Sequence, residues 1–384
     1  MLKPRQCVLR CVTFVVLTYV FGSDNILATI ADMIDVLRPQ ILIRKGNLMT
    51  NQNPPIYTGD IAEQHVDPSR EYSTENQEID FSPEQHAIWK DLYAGVHQAY
   101  LLEHICKEFK HGLALLELDP NQIPTVAHLN EHITPRTGWR IERTVVRYTL
   151  ADDWYKKFAQ RIFLITDYLR TRDQLEFTPE PDMFHDIFGH LPYLTMEFYA
   201  RIEDKFAPAY LKATQDEREV IKRLAWYSTE FGLLVENNRF KIFGAGIISG
   251  RAELANAIME FYRLSRDTVI DYTSDIFEQL TEKFLAHKDE IHRLIEGVND
   301  LHQRGQMSSQ DEGWNVVHSL YGSLGIKRVD YFGGDVILAP FDIETIARIP
   351  KTVYAFNPMF FVCQSVEHMD ALLDSYLKPI AMRN

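Results

Sequence analysis

"PEPDMFHDIFGHLP", Pro179–Pro192, sets two histidines, His185 and His190, five residues apart among acids, prolines and a glycine. In a regular α-helix five residues turn the chain by about 500°, leaving the side chains roughly 140° apart. The pair would therefore not share a face of an undistorted helix. Gly189 and Pro192 stand where such a helix would end, and a helix ending near Gly189 lets His190 swing toward His185. Imidazole nitrogen suits first-row metals, so convergence would make half of a metal site. The alternative is two unrelated histidines, one at the surface and one satisfied by a hydrogen bond.

A carboxylate further along shifts the balance. "RLAWYSTEFGLL" carries Glu230 inside an aromatic and aliphatic run. A buried lone carboxylate is costly and tends to neutralise. A metal would remove that cost. Two histidines and one carboxylate on one face of an ion leave the opposite positions open, as in non-haem Fe(II) oxygenases. Zinc is the rival ion, since peptidases also use two histidines and a glutamate. Those enzymes commonly space the histidines four apart with a glutamate after the first. Here position 186 is Asp and the spacing is five.

Bulk composition narrows the setting. The 384 residues are 46% hydrophobic and 12% aromatic, enough for a sizeable core and for one large or two ordinary domains. A formal charge of −14 disfavours a phosphate backbone as partner, so no nucleic acid is expected. Cys7, Cys11, Cys106 and Cys363 show neither zinc-finger spacing nor a disulfide framework. That fits a reducing, cytoplasmic compartment. Residues 1–48 differ from the rest. The apolar run Cys11–Phe21 follows a basic start and is short for a bilayer, which needs about 20 residues. It reads either as a targeting or interfacial segment or as an upstream extension with the start at Met49. Any membrane contact would go through residues 1–22. The stretch up to residue 80 is polar and aperiodic, a flexible lead-in.

From Phe81 onward the pattern is mostly helical. Ser82, Pro83 and Gln85 form a capping box with proline in the first turn, followed by Ile88, Leu92 and Val96 at helical spacing. "GWRIERTVVRYTL" alternates and reads as extended. "ADDWYKKFAQRIFLITDYLR" reads as one helix running to Arg170, and "DEREVIKRLAWYSTEFGLLV" as another. "RFKIFGAGIISG" reads as a hairpin or loop, and 251–304 as one long helical block. The expected fold is mainly α: a single catalytic domain over 81–384 with few short strands, preceded by an extension over 1–80.

"TPEPDMFHDIFGHLP", "WYSTEFGL" and "KIFGAGIISG", in register from about Phe81 to Ile258, resemble the pterin-dependent aromatic amino acid hydroxylases. "PFDIETIARIPKTVYAFNPMFFVCQS" resembles the end of that family's catalytic domain. The resemblance implies an iron site of His185, His190 and Glu230. It implies Arg170 as partner of the substrate α-carboxylate, with Thr178 and Ser249 helping to hold the amino acid backbone. Pro179 and Trp226 would shape the aromatic pocket. Trp154 or Tyr155 would stack on the pterin ring, and Asp186 would meet the pterin through water. The implied cofactors are Fe(II) and a tetrahydropterin cosubstrate, and the implied reaction is hydroxylation of an aromatic amino acid with O2, phenylalanine to tyrosine. Lys351 stands where animal phenylalanine hydroxylases carry tyrosine, and Val353 matches phenylalanine-type members.

The chain departs from the family in one place. About 259–338 holds an amphipathic helical insertion, read as a bundle packed on the domain or as a lid or dimer surface. Neither the regulatory domain nor the coiled-coil tail of animal members finds room, so a monomer or dimer is expected. Other readings are a catalytically silent metal-binding paralogue whose insertion blocks the pocket and binds a partner, a zinc hydrolase on the same ligands, or a tryptophan-, tyrosine- or meta-specific hydroxylase.

Overall fold

The capping box at Ser82 starts the described chain as its residues dictate. Ser82 Oγ accepts from the Gln85 N–H, Gln85 returns a bond to the Ser82 N–H, and Pro83 opens the helix. The computed structural model describes residues 79–146, 149–175, 178, 181–266, 269–304, 337–351, 357 and 359–383. All of them fall in the second of two units into which the chain divides, Ile56–Asn384.

In chain order the elements are α1 Pro83–Val96, α2 Ala99–Leu102, α3 Lys107–Leu116, α4 Val126–Thr137, β1 Arg140–Thr144, α5 Ala151–Phe158 and β2 Ile162–Thr166. A first π-turn, His185–His190, follows, then α6 Leu191–Leu194, α7 Glu197–Lys212, α8 Gln215–Ala225 and a second π-turn, Trp226–Glu230. The chain continues through β3 Leu233–Glu236, β4 Arg239–Ile242, α9 Ala245–Ser249, α10 Arg251–Arg266 and α11 Ile276–Gln303. It closes with β5 Ile337–Pro340, α12 Ile343–Ile346, β6 Met359–Cys363 and α13 Val366–Ala381. The architecture is mainly α, as expected, with two small sheets. β1 and β2 pair in parallel across α5. The second sheet has the order β4-β3-β6-β5, in which only the β3–β4 hairpin is antiparallel. Its turn residues Asn237 and Asn238 both take positive φ, 50° and 56°, the geometry a two-residue hairpin loop favours.

Three expectations need correction. The helix expected through Arg170 stops at Phe158, and Ile162–Thr166 is a strand, buried along its whole length. Its branched apolar run satisfies either state locally, and pairing with β1 decides it. Arg170 is therefore a loop residue beyond β2, not a helix end. The helix expected through Val235 gives way at Glu230, and Leu233–Glu236 pairs with β4 and β6. The single block over 251–304 is two helices, α10 and α11. α11 buries Ile276, Leu280, Phe284, Ile291, Leu294, Ile295 and Val298 along one stripe. On its other contacts Lys288 pairs with Asp342 and Glu344, and His292 meets Thr345 Oγ1 at 2.9 Å. The insertion thus packs on the domain where it is described; its remainder, 305–336, lies outside the described residues.

Gly244 shows how tightly the second π-turn is held. A Cβ there would stand 2.2 Å from the Glu230 carbonyl oxygen and 2.5 Å from Phe231 N. Both neighbours are backbone and cannot swing aside. Gly244→Ala is expected to cost about 1–3 kcal/mol through overpacking and to displace Glu230. Thermal melting and metal content of the variant would check this; unchanged values for both would refute it.

Candidate metal centre

His185 and His190 begin and end the first π-turn. The i→i+5 hydrogen bonds of such a turn close a wider ring than α-helical ones, so residues five apart come into line. This corrects the expectation that the helix would terminate near Gly189: the chain continues into α6, and the widened turn does the work. The imidazoles meet edge to face, centroids 4.8 Å apart, with Nε2 atoms 3.1 Å from each other. Glu230 ends the second π-turn. Its carboxylate lies 3.1 Å from His190 Nε2 and 3.5 Å from His185 Nε2. A metal–ligand bond of about 2.1 Å puts ligands at right angles about 3.0 Å apart. The two imidazoles and the carboxylate, which meets them through different oxygens, are therefore spaced to hold one face of a single first-row cation.

Ser249 fixes the tautomer of one ligand. Its hydroxyl donates to Ala245 O at 2.8 Å and lies 2.9 Å from His185 Nδ1. With its hydrogen committed to the carbonyl, Ser249 Oγ accepts from Nδ1–H. That leaves the His185 Nε2 lone pair facing the cluster. Ser249, expected at the amino acid backbone, is thus placed on the candidate ligand His185 while still lining the cavity.

The three donors share charge unevenly. Burial opposes ionisation of Glu230, but His190, His185 and Lys351 outweigh it and hold the carboxyl down to about 2. Burial opposes the imidazolium at His190 too, yet Glu230 raises it to about 9. Burial lowers His185 to about 4. Without a metal, His190 therefore carries the proton of the set at neutral pH. A cation must expel that proton, so affinity is expected to rise about tenfold per pH unit from neutrality up to about 9, then flatten. Chelator competition at several pH values measures this; a flat response below 9 would contradict it.

The cluster lines a cavity of about 290 Å³ that β1 and β2 also border through Thr144, Phe163, Leu164 and Thr166. Phe163, Phe206, Trp226 and Phe231 supply apolar walls. Arg170 is buried and held by Asp182, which accepts from Arg170 N, Nε and Nη2 at 2.8–2.9 Å and from His185 N at 3.0 Å. Burial works against the Asp182 carboxylate, but the Arg170 charge and hydrogen bonds keep it below the ordinary range. Arg170 lines this cavity, and its Nη1 is buried with no hydrogen-bond partner among the described residues.

Of the remaining expected residues, Trp154, Tyr155, Thr178, Asp186 and Trp226 line the cavity. Tyr155 is buried with its face stacked on Tyr210 at 4.1 Å, whereas Trp154 is half-buried. Asp186 accepts from Thr166 N at 2.9 Å, and burial pushes its carboxyl up to about 8. Trp226 Nε1 donates to Asn357 Oδ1, and its ring lies 4.5 Å from that of Phe231. Pro179 and Val353 lie outside the described residues.

Sequence reasoning missed Asp182, Asn357, Glu203 and Glu253. Burial pushes the Glu203 and Glu253 carboxyls up to about 7. A signal existed for Asp182, an acid inside the histidine stretch. Another existed for Glu253, an acid on an apolar helix face. The partnership of Glu253 with Asn357, 104 residues away, had none.

Comparison with known proteins matches residues 61–295, more than half of the chain, to the family described as biopterin-dependent aromatic amino acid hydroxylase. Among characterised relatives, the phenylalanine-4-hydroxylase of Vibrio cholerae is 31% identical over 180 residues, 47% of this chain and 62% of the relative. That of Chromobacterium violaceum is 37% identical over 176 residues, 45% and 58% respectively. The matched stretch thus spans about 60% of these relatives' length. The C. violaceum phenylalanine hydroxylase structure with bound iron(III) and oxidised cofactor 7,8-dihydrobiopterin superposes with a TM-score of 0.56 at 23% identity, covering 84% of this chain and 91% of that one. At that identity the likeness speaks for the fold.

Proposed function

The chain belongs to the biopterin-dependent aromatic amino acid hydroxylases, and from that premise we propose that it hydroxylates the ring of L-phenylalanine to give L-tyrosine, using O2, Fe(II) and a tetrahydropterin. The observation that carries this reading is the shared cavity: two imidazoles and a carboxylate in its lining, and a buried arginine lining the same space. Iron held by His185, His190 and Glu230, together with the reduced pterin, would supply the oxygen activation that no amino acid side chain provides.

The chain's own residues bind and orient. Arg170 Nη1 has no acceptor among the described residues, so a substrate carboxylate completes its fork while Asp182 holds the guanidinium plane. Trp226 and Phe231 flank a ring by offset stacking, and the Asn357 carbonyl fixes the indole. Trp154, rather than Tyr155, is assigned the pterin ring, because Tyr210 already covers the face of Tyr155. Thr166 N–H orients Asp186 toward the same space. The apolar lining excludes water from the reacting face. We read 81–384 as the catalytic domain. A monomer or dimer in the cytoplasm is part of the proposal; the buried, unpaired thiols of Cys106 and Cys363 support the reducing compartment. Among the described residues no helix is long and apolar enough to cross a membrane.

A second substrate, tyrosine, is favoured by Lys351. Its ammonium sits 5.6 Å from the Trp226 ring centroid, where it could meet a ring hydroxyl. A blocked pocket is not supported, since no described residue of α11 lines the cavity. The decisive experiment offers phenylalanine, tyrosine and tryptophan with Fe(II), tetrahydropterin and O2, and reads product mass and ring position. One oxygen added to phenylalanine at the para carbon is expected. No oxygenated product from any of the three would overturn the reading, and zinc as the metal bound on isolation would redirect it to hydrolysis.

A further inference from the structure

The N-terminus of α3 carries a second cluster of potential ligands. Cys106 is the cap residue, Glu108 stands in the first turn, and Glu236 reaches across from the end of β3. The Lys107 N–H donates to both Glu236 carboxylate oxygens, at 3.1 and 3.3 Å. Cys106 Sγ and one oxygen from each glutamate all lie within 4.8 Å of one another. The thiol is wholly buried and the two glutamates half-buried.

A helix end explains part of this arrangement, because its dipole favours acids and Glu236 caps a free N–H. Two further observations go unexplained. Glu108 Oε2 is buried and meets no donor among the described residues, while one oxygen of its carboxylate lies within 4.8 Å of one of Glu236. Two facing carboxylates need a proton or a cation between them. Independently, Tyr199 of α7 is only 5% exposed and its hydroxyl has no hydrogen-bond partner among the described residues. Its ring lies 5.1 Å from that of Tyr193, whose hydroxyl meets Cys106 Sγ at 3.4 Å. The exposed Lys107 ammonium approaches Glu108 Oε1 only to 3.6 Å.

We propose that Cys106, Glu108 and Glu236 bind a zinc-class divalent cation that cross-links the start of α3 to the β3–β4 hairpin. A thiolate with two carboxylates suits such an ion and disfavours magnesium or calcium. Three anionic ligands around a divalent ion leave one net negative charge, which the helix N-terminus stabilises. Tyr193 donates its own hydrogen to Phe243 O, so it accepts the Cys106 S–H at 3.4 Å. Ion binding releases that thiol proton and the proton between the carboxyls to solvent. No ligand is shared with the His185 cluster.

The test titrates the iron-loaded protein, with Cys7 and Cys11 replaced by Ser so that they contribute no band, with Cd2+ and reads sulfur-to-cadmium charge-transfer absorption. The His185–His190–Glu230 cluster contains no sulfur, so it cannot give this band, and failure of the oxygenase reading would leave the result unaffected. The band is expected to saturate at a single equivalent and to vanish in Cys106→Ser. Affinity should fall at least about tenfold in Glu108→Gln and in Glu236→Gln, with iron content unchanged. These two variants keep the thiol and decide the matter if Cys106→Ser does not fold. Absence of the band, its survival in Cys106→Ser, or its indifference to both glutamine variants would overturn the proposal and leave a capped helix with a shared proton.

Discussion

Glu230→Ala is expected to lose bound iron and turnover together, with activity falling by far more than a hundredfold. Even residues outside the coordination sphere of a metal site cost about 10–100-fold when removed. Glu230 would be a ligand itself and the only anion among the three donors. Its removal also takes away the charge that holds His190 protonated near neutrality. What is left is two imidazoles with Nε2 atoms 3.1 Å apart and no counter-charge for a cation. Metal content by elemental analysis, followed by turnover with excess Fe(II), separates lost affinity from lost chemistry. Retention of a full iron equivalent would remove Glu230 from the ligand set. Glu230→Gln keeps the shape and discards the charge, so it should lie near the alanine variant if charge dominates.

Asp182→Ala should be the most damaging change outside the metal ligands. Asp182 and Arg170 are both buried, and the aspartate accepts four hydrogen bonds, three from Arg170 and one from the His185 N–H. Removing one partner of a buried ion pair leaves a desolvated charge and costs about 3–5 kcal/mol. Here it also frees the backbone at the start of the first π-turn. Urea unfolding of the metal-free protein should show that loss, and the Michaelis constant for the amino acid should rise because the Arg170 fork is no longer held. The change in unfolding free energy bears on the fold and the Michaelis constant on substrate anchoring. A stable variant with unchanged kinetics would refute both roles of the pair.

Much of the centre was legible because its residue types are rare in their settings. Two histidines within one bend-rich stretch and an acid inside an aromatic run pointed to a cation before any coordinates. The reason the histidines meet was not legible. A π-turn differs from an α-turn by one residue of hydrogen-bond reach, and nothing in "HDIFGH" chooses between them locally. The packing of α9 does bear on it: a Cβ at Gly189 would meet Ala245 O at 3.0 Å. Ser249 was legible as a site residue but not as the hydroxyl that fixes the His185 tautomer. Its partner lies 64 residues away.

The amino-acid sequence alone determined the mainly helical class and the capping of α1, and it brought forward His185, His190 and Glu230 as candidate donors. These follow from residue chemistry and short-range periodicity, whereas Arg170 came from the family resemblance alone. Only tertiary structure decided that Ile162–Thr166 is a strand, that Asp182 occupies two arms of the Arg170 guanidinium, that Tyr210 covers Tyr155, and that Glu236 reaches Cys106 and Glu108. The physical reason is the same in each case. Local preference leaves several conformations close in free energy, and contacts between residues distant in the chain supply the difference that selects one.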